Sequence, residues 1–145
     1  ACLVLKSGYS GKCGLFDLSD GKQVIDFRYD DITLLGFNRA LGKDGSRRYL
    51  LDTSTGDVIA SLPPNIGAAH FNETPVTWIF RAKSYYGIID EEGNILYEDA
   101  KDPLTGVTKF RHGFSGGQKD NKKWGILKSD GTWLVHPTYD YIKLL

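Results

Sequence analysis

The stretch that decides the fold is residues 122–145, K-K-W-G-I-L-K-S-D-G-T-W-L-V-H-P-T-Y-D-Y-I-K-L-L. Trp124-Gly125 opens a short apolar run, Asp130-Gly131 interrupts it, and a second β-prone run follows. Two such runs separated by a turn that ends in Gly are typical of a β-hairpin, because glycine accepts the positive φ of tight turns. The segment therefore predicts a β-hairpin followed by an extended tail.

The same hairpin pattern recurs along the chain. Each copy has a turn glycine with a β-prone run on either side, and these glycines lie about 35 to 38 residues apart. They are Gly21, Gly56, Gly93 and Gly131. A fixed period of this length indicates a repeat array or a propeller. The 17 glycines and 12% aromatic residues agree with an all-β chain.

Other runs complete the repeating unit. A short β-prone run precedes each hairpin, at residues 3–6, 39–41, 77–80 and 108–110. Two stretches, 61–75 and 97–106, interrupt the repeat with prolines and are predicted to be surface loops. The sequence thus predicts one all-β domain of repeated antiparallel hairpins or meanders. Its units are expected at about 1–36, 37–75, 76–107 and 108–145.

The two ends of the chain are in phase with the repeat. Residues 141–145 align with residues 31–35, which lead into the opening run of the second unit, and the chain begins with such a run at 3–6. One interpretation is closure into a small four-bladed β-propeller, which hides sheet edges that would otherwise invite aggregation. The other is a piece of a longer, open array.

The residues of the repeat resemble the WG (KWG) β-repeat family, which is common in bacteria. The fourth unit matches the family pattern best, at Lys123, Trp124, Gly125, Gly131, Pro137, Tyr139 and Asp140. The other three copies are degenerate: Cys13 replaces the Trp, Tyr86-Gly87 lacks the tail, and Tyr49 stands in a copy without the Gly of the pair. The resemblance implies a β-repeat scaffold used for binding, and it implies no catalytic residues.

Charge and hydropathy exclude several classes of partner. Lys plus Arg equals Asp plus Glu, 18 each, so the long-range field is weak. Nonspecific binding to nucleic acid or to a membrane surface depends on net positive charge and is not expected. No apolar run approaches the roughly 20 residues that a spanning helix needs, so membrane insertion is not expected either.

No constellation of residues predicts catalysis. His70, His112 and His136 share no metal-ligand spacing, and the acid pairs Asp30-Asp31 and Glu91-Glu92 fall in turns or hairpin tails. We therefore expect no catalytic residues, no metal and no cofactor, and we expect the chain not to be an enzyme.

The two cysteines form a candidate disulfide. A two-residue turn at Ser7-Gly8 would place Cys2 opposite Cys13, and opposed Cα atoms in antiparallel strands lie within disulfide reach. The alternative is two small, buried thiols. Free thiols would favour the cytoplasm, and a bridge would favour the periplasm or the outside of the cell.

The expected function is that of a non-enzymatic protein–protein interaction module, monomeric outside its complex. One specific form is an immunity or inhibitor protein that neutralises a bacterial toxin. Contact is expected at the two irregular stretches, since loops carry function and aromatic anchors dominate interface energetics. The candidate binding residues are Trp78, Tyr85, Tyr97, His70, Lys43, Arg47 and Arg48.

An alternative is a carbohydrate-binding or cell-envelope-binding protein. Its candidate residues are the aromatic side chains of the last unit, Trp133, Tyr139 and Tyr141. This alternative requires that at least some of these rings face solvent.

Overall fold

The computed structural model describes residues 2–72, 74–143 and 145, and these residues form β-strands and turns with no α-helix. The strands lie in four antiparallel sheets, which confirms the all-β prediction. Within each sheet, every strand pairs with its neighbours in chain order. The expected closure into a propeller stays a prediction.

The sheets follow one another along the chain. Sheet I comprises β1 (Cys2–Lys6), β2 (Cys13–Asp17) and β3 (Gln23–Tyr29). Sheet II comprises β4 (Asp31–Gly36), β5 (Arg39–Asp44), β6 (Arg47–Asp52) and β7 (Val58–Leu62). Sheet III comprises β8 (Gly67–Ala68), β9 (Val76–Arg81), β10 (Ser84–Asp90) and β11 (Ile95–Glu98). Sheet IV comprises β12 (Gly106–Val107), β13 (Phe114–Gln118), β14 (Trp124–Lys128) and β15 (Trp133–Tyr139).

The chain divides into two compact units. The N-terminal unit ends at Ile66 and contains sheets I and II, whereas the C-terminal unit begins at Gly67 and contains sheets III and IV. Each unit has its own buried cluster. In the N-terminal unit, Leu15, Ile25 and Tyr29 of sheet I pack with residues of sheet II. In the C-terminal unit, Trp78 and Ile88 of sheet III pack with Leu104, Phe110 and Leu127.

All four sheets contain the same hairpin irregularity. The pairing of the last two strands shifts register at Leu15/Phe16, Leu50/Leu51, Ile88/Ile89 and Ile126/Leu127. The turn glycine of each hairpin has a positive φ, between 72° for Gly21 and 83° for Gly131. These are the glycines on which the sequence period rests. The repeat is therefore one of backbone geometry as well as of sequence.

A second irregularity separates sheets I and IV from sheets II and III. In sheet IV, Trp124 pairs with Tyr139 while Ile126 pairs with Val135, so β15 bulges opposite Gly125. A Cβ at Gly125 would collide with the carbonyl oxygen of Val135, and it would lie 2.8 Å from the backbone nitrogen of Pro137. The glycine of the Trp-Gly pair is thus the residue that lets the partner strand bulge.

Sheet I repeats this arrangement. Cys13 pairs with Tyr29 while Leu15 pairs with Ile25, and a Cβ at Gly14 would lie 2.7 Å from the Ile25 carbonyl oxygen. In sheet II the pairing is continuous at the same position, and Tyr49 carries a full side chain there. A side chain at the position of the motif glycine therefore excludes a bulge in the partner strand.

The bulge brings the two ends of the motif together. It lengthens β3 and β15 to 7 residues each, so the aspartate after each strand meets the lysine of the hairpin. Lys12 forms an ion pair with Asp30, and Lys123 forms the equivalent pair with Asp140. The Lys-X-Gly and Tyr-Asp parts of the motif are therefore adjacent in space.

Several sequence predictions are wrong. Residues 108–110 do not form a strand, and the opening strand of the last hairpin lies at Phe114–Gln118. The stretches 61–75 and 97–106 are not simple surface loops, because each contributes a short strand and buried apolar side chains. Those side chains are Leu62, Ile66, Phe71 and Leu104.

The proposed disulfide is also wrong. The β1–β2 connection is longer than a two-residue turn, since the Ser7 amide donates to the Lys12 carbonyl, and the register places Cys2 opposite Asp17. Cys13 lies opposite Lys6 instead. Both cysteines are free thiols.

Candidate binding cleft

A concave surface lies in the C-terminal unit, between two loops and the segment that follows β15. It has a volume of about 1020 Å³. Its walls come from the β8–β9 loop (residues 69–75), the β12–β13 loop (residues 108–113) and Ile142 with Lys143. A smaller cleft of about 360 Å³ shares several of these residues and extends towards Trp78 and Tyr85. We treat the two as one binding cleft.

Buried aromatic side chains fix the two loops. Phe71 of the β8–β9 loop is 1% exposed, and Phe110 of the β12–β13 loop is 4% exposed. The Phe110 ring stacks on Trp78, with ring centroids 5.6 Å apart. The indole N–H of Trp78 donates to the hydroxyl of Ser115 at 2.9 Å, which satisfies its only donor inside the core. The floor of the cleft is therefore apolar and firmly packed.

Hydrogen bonds hold the β8–β9 loop against β9. The hydroxyl of Thr77 donates to the carbonyl oxygen of Ala69 at 2.8 Å, and the Ala69 amide donates to the Trp78 carbonyl at 2.9 Å. The amide of Asn72 donates to Nδ1 of His70 at 2.9 Å. Because Nδ1 is thereby an acceptor, the neutral His70 imidazole carries its hydrogen on Nε2, where it is available as a donor.

The β12–β13 loop is tied to β13 in a similar way. The Gly116 amide donates to the hydroxyl of Thr108 at 2.7 Å, and the Ser115 hydroxyl donates to the Thr108 carbonyl at 2.8 Å. The tip of the loop is a two-residue turn at His112-Gly113, where both residues have positive φ and the flanking Arg111 and Phe114 pair. Arg111 and His112 of this turn line the cleft.

The lining of the cleft is basic. Lys109, Arg111 and Lys143 carry positive charge at neutral pH, and the imidazoles of His70 and His112 lie beside them. Within residues 2–72, 74–143 and 145, no Asp or Glu lines either part of the cleft. An anionic group that enters the cleft would meet several donors at once, above an apolar floor.

The structure brings together only some of the predicted binding residues. His70, Trp78 and Tyr85 line the cleft, but Trp78 is 1% exposed, so the prediction that it is a surface anchor is wrong. Its ring supports the loops instead. Tyr97 is half-buried and packs against Gly131, and this burial raises the pKa of its hydroxyl.

The predicted basic residues belong to the N-terminal unit. Arg48 donates from Nε to the Ile66 carbonyl at 2.9 Å and from Nη1 to the Gly45 carbonyl at 2.8 Å, so it stabilises backbone. Lys43 lies 3.8 Å from Asp31. Arg47 is exposed at the start of β6. None of the three contributes to the cleft.

The cationic residues of the cleft were missed from the sequence. Lys109, Arg111, His112 and Lys143 lie in or after segments that were predicted as strands. The dipeptide His112-Gly113 was the signal in the sequence that could have identified them. A turn at these two residues predicts a loop at 108–113 in place of a strand. No group of three or more His, Cys, Asp or Glu residues in the described part of the chain is placed to hold a metal ion. Among the same residues, no helix is long and apolar enough to cross a membrane.

Comparison with known proteins identifies a repeat and a fold. Residues 124–144, which include the Trp-Gly segment of sheet IV, match the family described as WG containing repeat. The other three copies remain a prediction. No curated protein matches the chain.

Solved structures that are similar to the chain include two designed proteins and one bacterial protein. The computationally designed Ika8 protein has a TM-score of 0.57 and 11% identity over 95% of this chain, which spans 48% of that protein. The designed Ika4 protein has a TM-score of 0.55 and 16% identity over 88% of this chain and 84% of that one. BamB from Moraxella catarrhalis has a TM-score of 0.49 and 17% identity, over 90% of this chain and 38% of BamB. At these identities the likeness concerns the fold alone.

Proposed function

We propose that the chain is a non-enzymatic protein-interaction module whose cleft holds an acidic, extended segment of a partner protein. The observation that carries this proposal is the pair of exposed cations, Lys109 and Lys143, at a cleft of about 1020 Å³. Carboxylates of the partner would pair with these cations, and an apolar side chain beside them would rest against Phe110.

The cleft suits a peptide better than a nucleic acid. Single-stranded nucleic acids bind through exposed aromatic rings on which bases stack. The aromatic rings of this cleft, Trp78 and Phe110, are buried and offer no exposed face for stacking. The chain as a whole has no net charge, so it lacks the extended positive field that a phosphate chain requires. A local cationic cleft on a neutral protein matches a short acidic segment.

A titration with a labelled poly-glutamate peptide tests the proposal. Fluorescence anisotropy should show binding to the wild-type chain that weakens as salt is added, since salt screens the ion pairs. The double substitution Lys109→Glu and Lys143→Glu should abolish binding, because both residues line the cleft and are exposed. An uncharged peptide and a single-stranded oligonucleotide should not bind.

The matched control is Lys83→Glu. Lys83 is exposed in the β9–β10 turn of the same unit and does not line the cleft, so this change of equal charge should leave binding intact. Equal loss of binding in the control, or no binding by the wild-type chain at low salt, would contradict the proposal.

One specific form of the proposal is a toxin-neutralising immunity protein. A rigid β scaffold with a cleft formed by two loops supports this role, since such scaffolds present loops in a fixed geometry. The expected result is that a toxin encoded beside this chain co-purifies with the wild type. Failure of the Lys109→Glu and Lys143→Glu variant to retain that toxin would assign the contact to the cleft.

A second candidate function is carbohydrate or cell-envelope binding. It is supported by the exposure of Tyr139 (55%) and Tyr141 (76%), since exposed rings stack on sugars, whereas Trp133 is half-buried. Sedimentation with insoluble cell-wall polysaccharide tests it. The wild-type chain should co-sediment and the Tyr139→Ala and Tyr141→Ala double variant should not.

A further inference from the structure

The last strand of each sheet, β3, β7, β11 or β15, lies at a sheet edge. An edge strand presents backbone N–H and C=O groups that can pair with a strand of another molecule. Proteins commonly protect such edges with a bulge, a proline, a charge or a short strand. These four edges differ in how far they are protected.

Three of the four edges carry such protection. β3 and β15 both bulge opposite the motif glycine. In β3 the amide of Phe27 is already bonded to the Asp26 carboxylate, at 2.8 Å. In β15 Pro137 has no N–H to offer to another strand. β11 is only 4 residues long and ends in the exposed Glu98.

The edge of β7 lacks these protections. Sheet II pairs continuously at Tyr49, which stands at the position of the motif glycine, so β7 does not have the bulge of β3 and β15. Its sequence, V-I-A-S-L, contains no charge and no proline. Val58 is 46% exposed and Ser61 is exposed. Among the described residues, no backbone group of β7 bonds outside sheet II.

The chain after β7 does not cover this edge. The amide of Asn65 donates to the Ser46 carbonyl at 2.9 Å, and Nε of Arg48 donates to the Ile66 carbonyl at 2.9 Å. These bonds hold the segment after β7 against β6 and the β5–β6 turn, which lie on the other side of β7 from its outer edge. The substitution of the motif glycine by Tyr49 thus leaves a regular, open edge.

Two charges of opposite sign flank the edge. Asp57 directly precedes β7, whereas Arg47 lies beside the end of β7, because the next residue, Arg48, pairs with Leu62. Both Asp57 and Arg47 are exposed, and in the part of the chain that the structure describes neither side chain forms an ion pair. The edge is therefore negative at its start and positive at its end.

We propose that β7 pairs antiparallel with β7 of a second copy of the chain, so that two copies of sheet II join into one continuous sheet. Antiparallel pairing places the start of each strand beside the end of the other, so Asp57 of each copy meets Arg47 of its partner. The partner is a second copy because this charge pattern makes the edge complementary to itself. The contact lies in the N-terminal unit, is independent of the cleft and departs from the expectation of a monomer.

Light scattering coupled to size exclusion, over a range of protein concentrations, tests this proposal. The wild-type chain should self-associate as concentration rises. Arg47→Glu and Asp57→Lys each bring like charges together at both ends of the contact, and each should weaken association by about tenfold. Lys83→Glu, an exposed charge reversal in the other unit, is the matched control and should leave association unchanged. The cleft variant, Lys109→Glu with Lys143→Glu, should also associate as the wild type does, so failure of this proposal is distinguishable from failure of the cleft.

Mixing the two single variants separates this contact from any other. The unchanged Asp57 of one variant then meets the unchanged Arg47 of the other, and the two substituted residues also attract each other. An equimolar mixture should therefore associate at a concentration at which neither variant does so alone. Restored association also shows that both variants are folded.

Hydrogen exchange locates the contact on the chain. Amides of residues 58–62 should become more protected as protein concentration rises, because the outward N–H groups of β7 become bonded, whereas amides of β11 should not change. A wild-type chain that stays monomeric at every concentration overturns the proposal. So does association without protection of β7, association that the charge reversals leave unchanged, or a mixture of the two variants that fails to associate.

Discussion

Sheets I and IV have the same motif in two different surroundings. Both have the Lys-X-Gly start, the bulge opposite the glycine and the Tyr-Asp tail. In sheet I the tail is covered by the following sheet, and in sheet IV it is exposed. The difference shows that the motif forms its bulge and ion pair within one sheet, whereas burial of its tyrosine depends on a neighbour.

The largest expected effect is the difference in stability loss between removing Tyr29 and removing Tyr139. Tyr29→Ala should destabilise the chain by about 4 kcal/mol, because it empties the centre of the N-terminal cluster. Tyr139→Ala should cost about 0.5 kcal/mol or less, since the ring is largely exposed. Urea unfolding at a low protein concentration measures both. Equal losses in the two variants would show that the tails are in equivalent surroundings.

A smaller effect, common to both sheets, is expected from the motif glycines. Gly14→Ala and Gly125→Ala should each destabilise by about 3 kcal/mol, because the new methyl group meets a backbone carbonyl that cannot move without loss of the bulge. Gly87→Ala in sheet III should cost less, about 1 kcal/mol, since its nearest neighbour is the Ile79 side chain at 2.9 Å and the backbone oxygen of Tyr97 lies further away, at 3.1 Å. If the three variants lose the same free energy of unfolding, the bulge is not the reason for glycine at this position.

The smallest effect is a dependence of stability on pH in the tail of sheet I. The Gly45 amide, and then the Lys12 ammonium, hold the pKa of the Asp30 carboxyl below its ordinary value. A carboxyl with a lowered pKa stabilises the fold above its unfolded pKa, near 4, and loses that contribution as pH falls through the lower folded value. The difference in melting temperature between wild type and Asp30→Asn should therefore be present at neutral pH and shrink in acid.

Asp140→Asn is the control for that measurement. Asp140 has the lysine partner of the motif but is far more exposed than Asp30, and exposed ion pairs contribute little. The variant should melt close to the wild type at neutral pH. A loss of melting temperature there as large as that of Asp30→Asn would contradict the assigned role of Gly45.

The sequence was sufficient to predict the repeated hairpins. Gly21, Gly56, Gly93 and Gly131 adopt the positive φ on which the prediction rested, and that requirement is local to each turn. The β1–β2 connection was mispredicted because its geometry depends on side-chain bonds. The hydroxyl of Ser7 accepts from the Tyr9 and Ser10 amides and stabilises a longer loop, which moves Cys2 away from Cys13.

The candidate site could be predicted only in part. Residues 61–75 were recognised as a break in the repeat, and His70 of that stretch does line the cleft. Trp78 was wrongly predicted as a binding residue because its burial depends on Ser115, 37 residues further along the chain. Lys109 was missed because the composition of residues 108–110 is β-prone. The hydrogen bond from the Gly116 amide to the Thr108 hydroxyl, which holds the segment as a loop, cannot be read from that composition. Contacts between distant segments decided each error.

The pairing of every strand with its neighbours in chain order has a consequence for how the protein is made. Each sheet needs only its own contiguous stretch of chain to complete its hydrogen bonds, as sheet II does within Asp31–Gly36 to Val58–Leu62. Loop closures are short, and the entropy lost before contacts form is small. Sheets can therefore form one after another as the chain leaves the ribosome, with Tyr29 placed before the strands that will cover it.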